Sequence, residues 1–165
     1  MADILIFGYG NPSRGDDALG PLLLERLEIE LGGELRKAAG GIEFLTDFQL
    51  QVEHALDLVG RKLVLFADAH VACPPPFVLG ELQATDDPSY STHAISPASV
   101  LRVYRDIRGE APPASFLLGM RGERFELGED LGAEARANLE AAVALVKELC
   151  AHPETGFWRR RCTGI

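Results

Sequence analysis

The sequence predicts an α/β protein in three layers, a twisted and mostly parallel sheet with helices on both faces. Three observations carry this. Continuous apolar runs at "ILIF", "LVLFA" and "ASFLLGM" read as strands buried on both faces. Segments with apolar residues at spacings of three and four alternate with them. A glycine-rich turn, "GYGNPSRGDDALG" at residues 8–20, joins the first strand to the first helix. Alternating strands and helices imply parallel pairing, with ligands bound outside the carboxyl ends of the strands.

In chain order, "ILIFG" is the first strand. A helix is expected from about Asp16 to Leu31, because Pro21 is tolerated only in a first turn and Gly32-Gly33 stops it. Leu19, Leu22, Leu23, Arg26, Leu27 and Ile29 define its apolar side. Ile42 to Leu45 is the second strand. "FQLQVEHALDLVGR" reads as a helix with Val52, Ala55, Leu56 and Val59 inward, and with Glu53, His54 and Asp57 outward. Leu63 to Phe66 is the strongest strand, and "FVLGELQ" is an edge strand. Ser96 is placed to cap a short helix over Pro97–Ile107. The last helix runs from about Gly132 to Cys150, with Leu139, Ala142, Val143, Val146 and Leu149 inward. Residues 1–151 are read as one domain and 152–165 as a disordered tail ending in the basic run Arg159 to Arg161.

The 165 residues suit a single core, and 47% hydrophobic with 25% charged residues is ordinary for a globular protein. A net charge of −9 argues against nucleic acid as a partner. No apolar stretch is long enough to span a membrane, and no leader pattern precedes the first strand, so a cytoplasmic protein is expected. Three widely separated cysteines without a C-x-x-C spacing read as reduced thiols.

The first turn is not a phosphate loop. Gly8 and Gly10 match a dinucleotide fingerprint, but its third glycine is Ser13, and no Gly-Lys-Ser/Thr run exists. Asp16 and Asp17 would repel a phosphate. The pair makes sense if one carboxylate serves the helix start and the other faces the cleft, where a cation or a shared proton is the natural occupant. Gly8 and Gly10 then allow close approach, and Asn11 supplies a hydrogen-bonding amide. Asp68 ends the strongest strand, so it emerges at the same rim. His93, in the polar connection before the short helix, supplies an imidazole; His70 is a rival, two residues beyond Asp68. Two carboxylates and an imidazole suit zinc, nickel, manganese or iron(II), and three ligands leave open positions. No Gly-x-Ser-x-Gly and no His-Glu-x-x-His supports a serine or zincin mechanism.

Four segments together resemble the maturation endopeptidases of [NiFe]-hydrogenases: "GYGNPSRGDDALG", "TDFQLQVEHALDL", "FADAH" and "HAISPASVL". Their order and intervals cover nearly the whole chain. The resemblance implies a protease that removes the C-terminal extension of a hydrogenase large-subunit precursor after nickel insertion. It implies Asp17, Asp68 and His93 as the nickel-recognising and catalytic set, which raises His93 above His70. Nickel would arrive in the substrate, with zinc or cadmium able to substitute. Gly8, Gly10, Asn11 and Asp47 are assigned to the substrate, Asp47 being either a helix N-cap or a substrate contact. The family's second loop is often Asp-Gly-Gly-Thr, where this chain has Asp47-Phe48-Gln49-Leu50. The alternatives are a nucleotide-binding α/β domain and a non-catalytic metal-dependent binding module.

Overall fold

The computed structural model describes residues 1–38, 40–85 and 95–163; the histidine segment containing His93 lies outside the described residues. Five strands form one sheet: β1 (Ile4–Tyr9), β2 (Ile42–Asp47), β3 (Leu63–His70), β4 (Phe77–Glu81) and β5 (Ala114–Arg121), in the order β2-β1-β3-β5-β4. Pairing is parallel except for β4, which runs antiparallel to β5 at the sheet edge. The chain leaves β1 for β2 on one side and then returns to β3 on the other. This reversal opens a crevice between the carboxyl ends of β1 and β3, the place where such sheets bind ligands.

Strand alternation divides the core in two. Ile4, Ile6, Leu63, Leu65, Phe116 and Leu118 face one side, where α1 (Leu19–Glu30) and α4 (Ala133–Ala151) cover them. Leu5, Phe7, Val64 and Phe66 face the other, under α3 (Pro97–Arg108) and a 3₁₀ helix over Val52–Leu58. Ser96 caps α3 by accepting a hydrogen bond from the Ser99 amide at 3.1 Å. All five residues expected inward on α4 are buried. Among the described residues no helix is long and apolar enough to cross a membrane.

Four expectations are corrected. Asp16 and Asp17 sit on a separate 3₁₀ turn, Gly15–Ala18, before α1 begins. On α1, Leu24 is buried and Ile29 is 77% exposed, because the helix packs its Leu19, Leu23 and Leu27 side on the sheet. The segment after β2 is not an α-helix. In the 3₁₀ helix found there, His54, Ala55 and Leu58 turn inward while Val52 and Leu56 are exposed. Of the stripe expected to face inward, only Ala55 is buried.

The fourth correction concerns residues 152–165, expected as a tail. Thr155–Arg160 forms a helix, α5, and Trp158 is fully buried against the first core. Its ring meets Phe116 edge-on at 5.3 Å, and its Nε1–H donates to the carbonyls of Leu149 at 2.9 Å and His152 at 3.1 Å. The basic run is engaged within the chain: Arg159 pairs with Glu81 and Arg161 with Glu148. Thr163 then joins β4, its amide donating to the Leu79 carbonyl and its Oγ1 accepting from the Leu79 amide.

Candidate active site

The first turn is built on two contacts between backbones. Gly8 and Gly20 let α1 lie directly on the strand ends: a Cβ on Gly8 would stand 2.5 Å from the Gly20 carbonyl oxygen. The role of Gly8 is therefore packing, and the space beside it is filled by α1, not open to a substrate. Gly10 has φ +144°, and a Cβ there would fall 2.1 Å from the Asp17 carbonyl oxygen. This brings the turn against Asp17. The Asn11 amide donates to Asp17 Oδ2 at 2.7 Å, and the Asn11 side-chain oxygen accepts from the Ser13 amide at 2.9 Å. Asn11 thus folds its own turn with its side chain and holds Asp17 with its backbone.

The adjacent aspartates have opposite fates. Asp16 is 1% exposed and caps no helix. Its Oδ2 accepts from the amides of Glu123 at 2.7 Å and Arg124 at 3.0 Å, and its Oδ1 from the Gly132 amide at 2.8 Å. Burial pushes its carboxyl up, but the amides of Glu123, Gly132 and Arg124 and the Arg124 charge outweigh this and hold it below its ordinary value. Three loop amides able to receive an anion are therefore already occupied. Asp16 ties the β5–α4 loop to the first turn and leaves Asp17 as the partly exposed acid of the pair.

Asp68 stands near the carboxyl end of β3, partly buried, its Oδ1 accepting from the Ala69 amide at 2.7 Å. Burial raises its carboxyl to about 7, and the Asp17 charge adds to the rise. Tyr9, at the end of β1, is pushed up as well, first by burial and then by the Asp68 charge. Asp17, Asp68 and Tyr9 therefore share one electrostatic neighbourhood at the β1/β3 crevice. A carboxyl that changes protonation near neutrality beside a second carboxylate is equipped for proton transfer.

His70 is drawn away from this role. Its Nδ1 accepts from the amides of Ala72 at 3.0 Å and Cys73 at 2.9 Å, so it shapes the loop after β3. Among the described residues no three His, Cys, Asp or Glu side chains are grouped to hold a metal ion. Asp17 and Asp68 offer hard oxygen donors, of the kind that suits divalent first-row metals.

Asp47 lies beside Tyr9 in the parallel register and lines a cleft of about 240 Å³ with Gly10, Pro12, Pro21, Thr46 and Phe48. It is not a helix N-cap. Its Oδ1 accepts from the Phe48 amide at 2.7 Å, and its Oδ2 lies 3.2 Å from His54 Nε2. His54, expected on the solvent side, is buried beneath the rim and is the residue that sequence periodicity missed.

No family profile and no curated protein matches the chain. Solved structures do. An endopeptidase from Escherichia coli is 30% identical, covering 94% of this chain and 94% of that one, with a TM-score of 0.65. The hydrogenase maturating endopeptidase HybD of E. coli is 28% identical over 88% of this chain and 90% of that one, with a TM-score of 0.66. The [NiFe] hydrogenase maturation protease HycI of Thermococcus kodakarensis KOD1 shares the fold at 22% identity and a TM-score of 0.68, covering 90% of this chain and 92% of that one. With this extent of likeness, and with two acids gathered at the crevice between β1 and β3, the chain belongs to the hydrogenase maturation endopeptidases.

Proposed function

We propose that this endopeptidase removes the C-terminal extension of a [NiFe]-hydrogenase large-subunit precursor in the cytoplasm, once nickel has been inserted. Nickel belongs to the substrate in this reading, and Asp17, Asp68 and His93 recognise it. The observation that carries the reading is the placement of Asp17 and Asp68 at one crevice, where the Asp17 charge acts on Asp68.

Peptide hydrolysis needs a base for the attacking water and a proton for the leaving amine. In the free protein Asp68, with its carboxyl at about 7, exists in both protonation states near neutrality, and a cation at the rim would favour its carboxylate form, the form that accepts a proton as a base. Asp17, steadied by the Asn11 amide, offers carboxylate oxygens to a cation at the rim. Tyr9, half-buried and held neutral by its surroundings and the Asp68 charge, brings a phenol to the same neighbourhood.

The test is incubation of the purified protein with nickel-loaded and nickel-free large-subunit precursor, followed by mass spectrometry of the large subunit. Shortening of the nickel-loaded form alone is expected, and loss of shortening in Asp17→Asn, Asp68→Asn and His93→Ala. Shortening by all three variants, or of both precursor forms alike, would overturn the assignment of the site.

A further inference from the structure

We propose that His54 is a positioning residue that aims the Asp47 carboxylate at an N–H donor of the substrate extension; the inference rests on the processing function above.

His54 Nδ1 accepts from the Gln51 amide at 2.8 Å, so the ring proton is carried by Nε2. Nε2 lies 3.2 Å from Asp47 Oδ2. The imidazole has little room to turn. It is 9% exposed and sits edge-on to Phe7, with ring centroids 4.6 Å apart. The other carboxylate oxygen of Asp47 receives the Phe48 amide, and the Asp47 carbonyl receives the Gly10 amide at 3.0 Å.

Asp47 is thus held at Oδ1 and at its backbone, with Oδ2 beside the imidazole, yet its side chain remains 43% exposed. A carboxylate has about four lone-pair directions, and the Phe48 amide fills one of them. The unused acceptor capacity belongs to a side chain that lines the cleft with Gly10, and Gly10 abuts Asp17. A peptide drawn to the Asp17 rim would meet Asp47 and the exposed ring of Phe48 beside it. The group able to satisfy Asp47 is an N–H donor, either a backbone amide or a cationic side chain.

The experiment measures cleavage of nickel-loaded large-subunit precursor by wild type, Asp47→Asn, His54→Phe, His54→Gln and the D47N/H54F double variant. In parallel, precursor affinity is measured in an Asp68→Asn background that does not cut. We expect D47N and H54F each to raise KM by about tenfold with the smaller share of the effect in kcat, as for loss of one charge-assisted hydrogen bond. H54Q, whose amide can restore the donor, is expected to recover most of the loss. The double variant should be no worse than D47N, because His54 acts through Asp47. A KM that rises with salt in wild type but not in D47N assigns the donor to a cationic side chain; an equal response assigns it to a backbone amide. Wild-type KM in both D47N and H54F, or additive losses in the double variant, would overturn the role of His54 while leaving the protease reading intact. A wild-type chain that neither cuts nor binds the precursor would overturn both.

Discussion

The Asp16 carboxylate and the Glu123 backbone amide meet at 2.7 Å although 107 residues separate them. With the Arg124 and Gly132 amides on the same side chain, this contact makes one acid the tie between two loops of the active rim. Asp16→Ala would leave three amides unpartnered in a buried place and is expected to cost about 2–4 kcal/mol. Because the folded Asp16 carboxyl is held below its ordinary value, its contribution is present above the unfolded carboxylate range and is lost as pH falls through the folded value. Acid titration of stability should therefore show a component that is missing from Asp16→Asn, read by circular dichroism.

Asp68 gives the opposite sign. Its carboxyl moves from 3.8 to about 7 on folding, so the folded chain takes up a proton between those values and loses stability as pH rises through that window. Asp68→Asn should remove this slope and stabilise the free protein at pH 7.5 by an amount on the order of 1–3 kcal/mol, while abolishing processing. Thermal melts across pH, run beside the cleavage assay, check both halves. A lower melting temperature at neutral pH would contradict the burial argument.

Gly8→Ala is expected to destabilise by roughly 2 kcal/mol or more, since the added methyl meets backbone at 2.5 Å and neither element can yield without moving the other. Urea denaturation measures the loss. Because α1 carries Asp17 at its entrance, residual folded protein should also process more slowly than wild type.

Trp158→Ala should cost about 3–5 kcal/mol, as for other fully buried large aromatics. Arg160→Ala, on the same short helix but exposed, should change stability by no more than about 0.5 kcal/mol. Similar losses for the two would mean that α5 does not pack as described.

The parallel strands and α4 were legible because both faces of the sheet are covered, leaving apolar runs and a regular stripe with little ambiguity. Asp68 was legible for a related reason, since an acid at the end of a buried strand has only the rim to occupy. His54 was not. A histidine among polar neighbours reads as solvent-facing, and its inward direction depends on packing against Phe7, which nothing in "QVEHALDL" reveals. The partner of Asp16 was hidden too, because its three donors are main-chain amides of a distant loop and leave no side-chain signature. The final helix was misread from its position: polar and basic residues surround a single Trp158, whose burial depends on a pocket made by Phe116 and α4.

The pairing of Thr163 with Leu79 has a consequence for how copies of this protein meet. Both main-chain groups of Leu79 on its outer side are occupied by the same chain, so β4 presents no template there for a foreign strand. Fibril-like stacking through that border would first require peeling Thr163 away, and deuterium uptake at the Leu79 amide reports how often that happens.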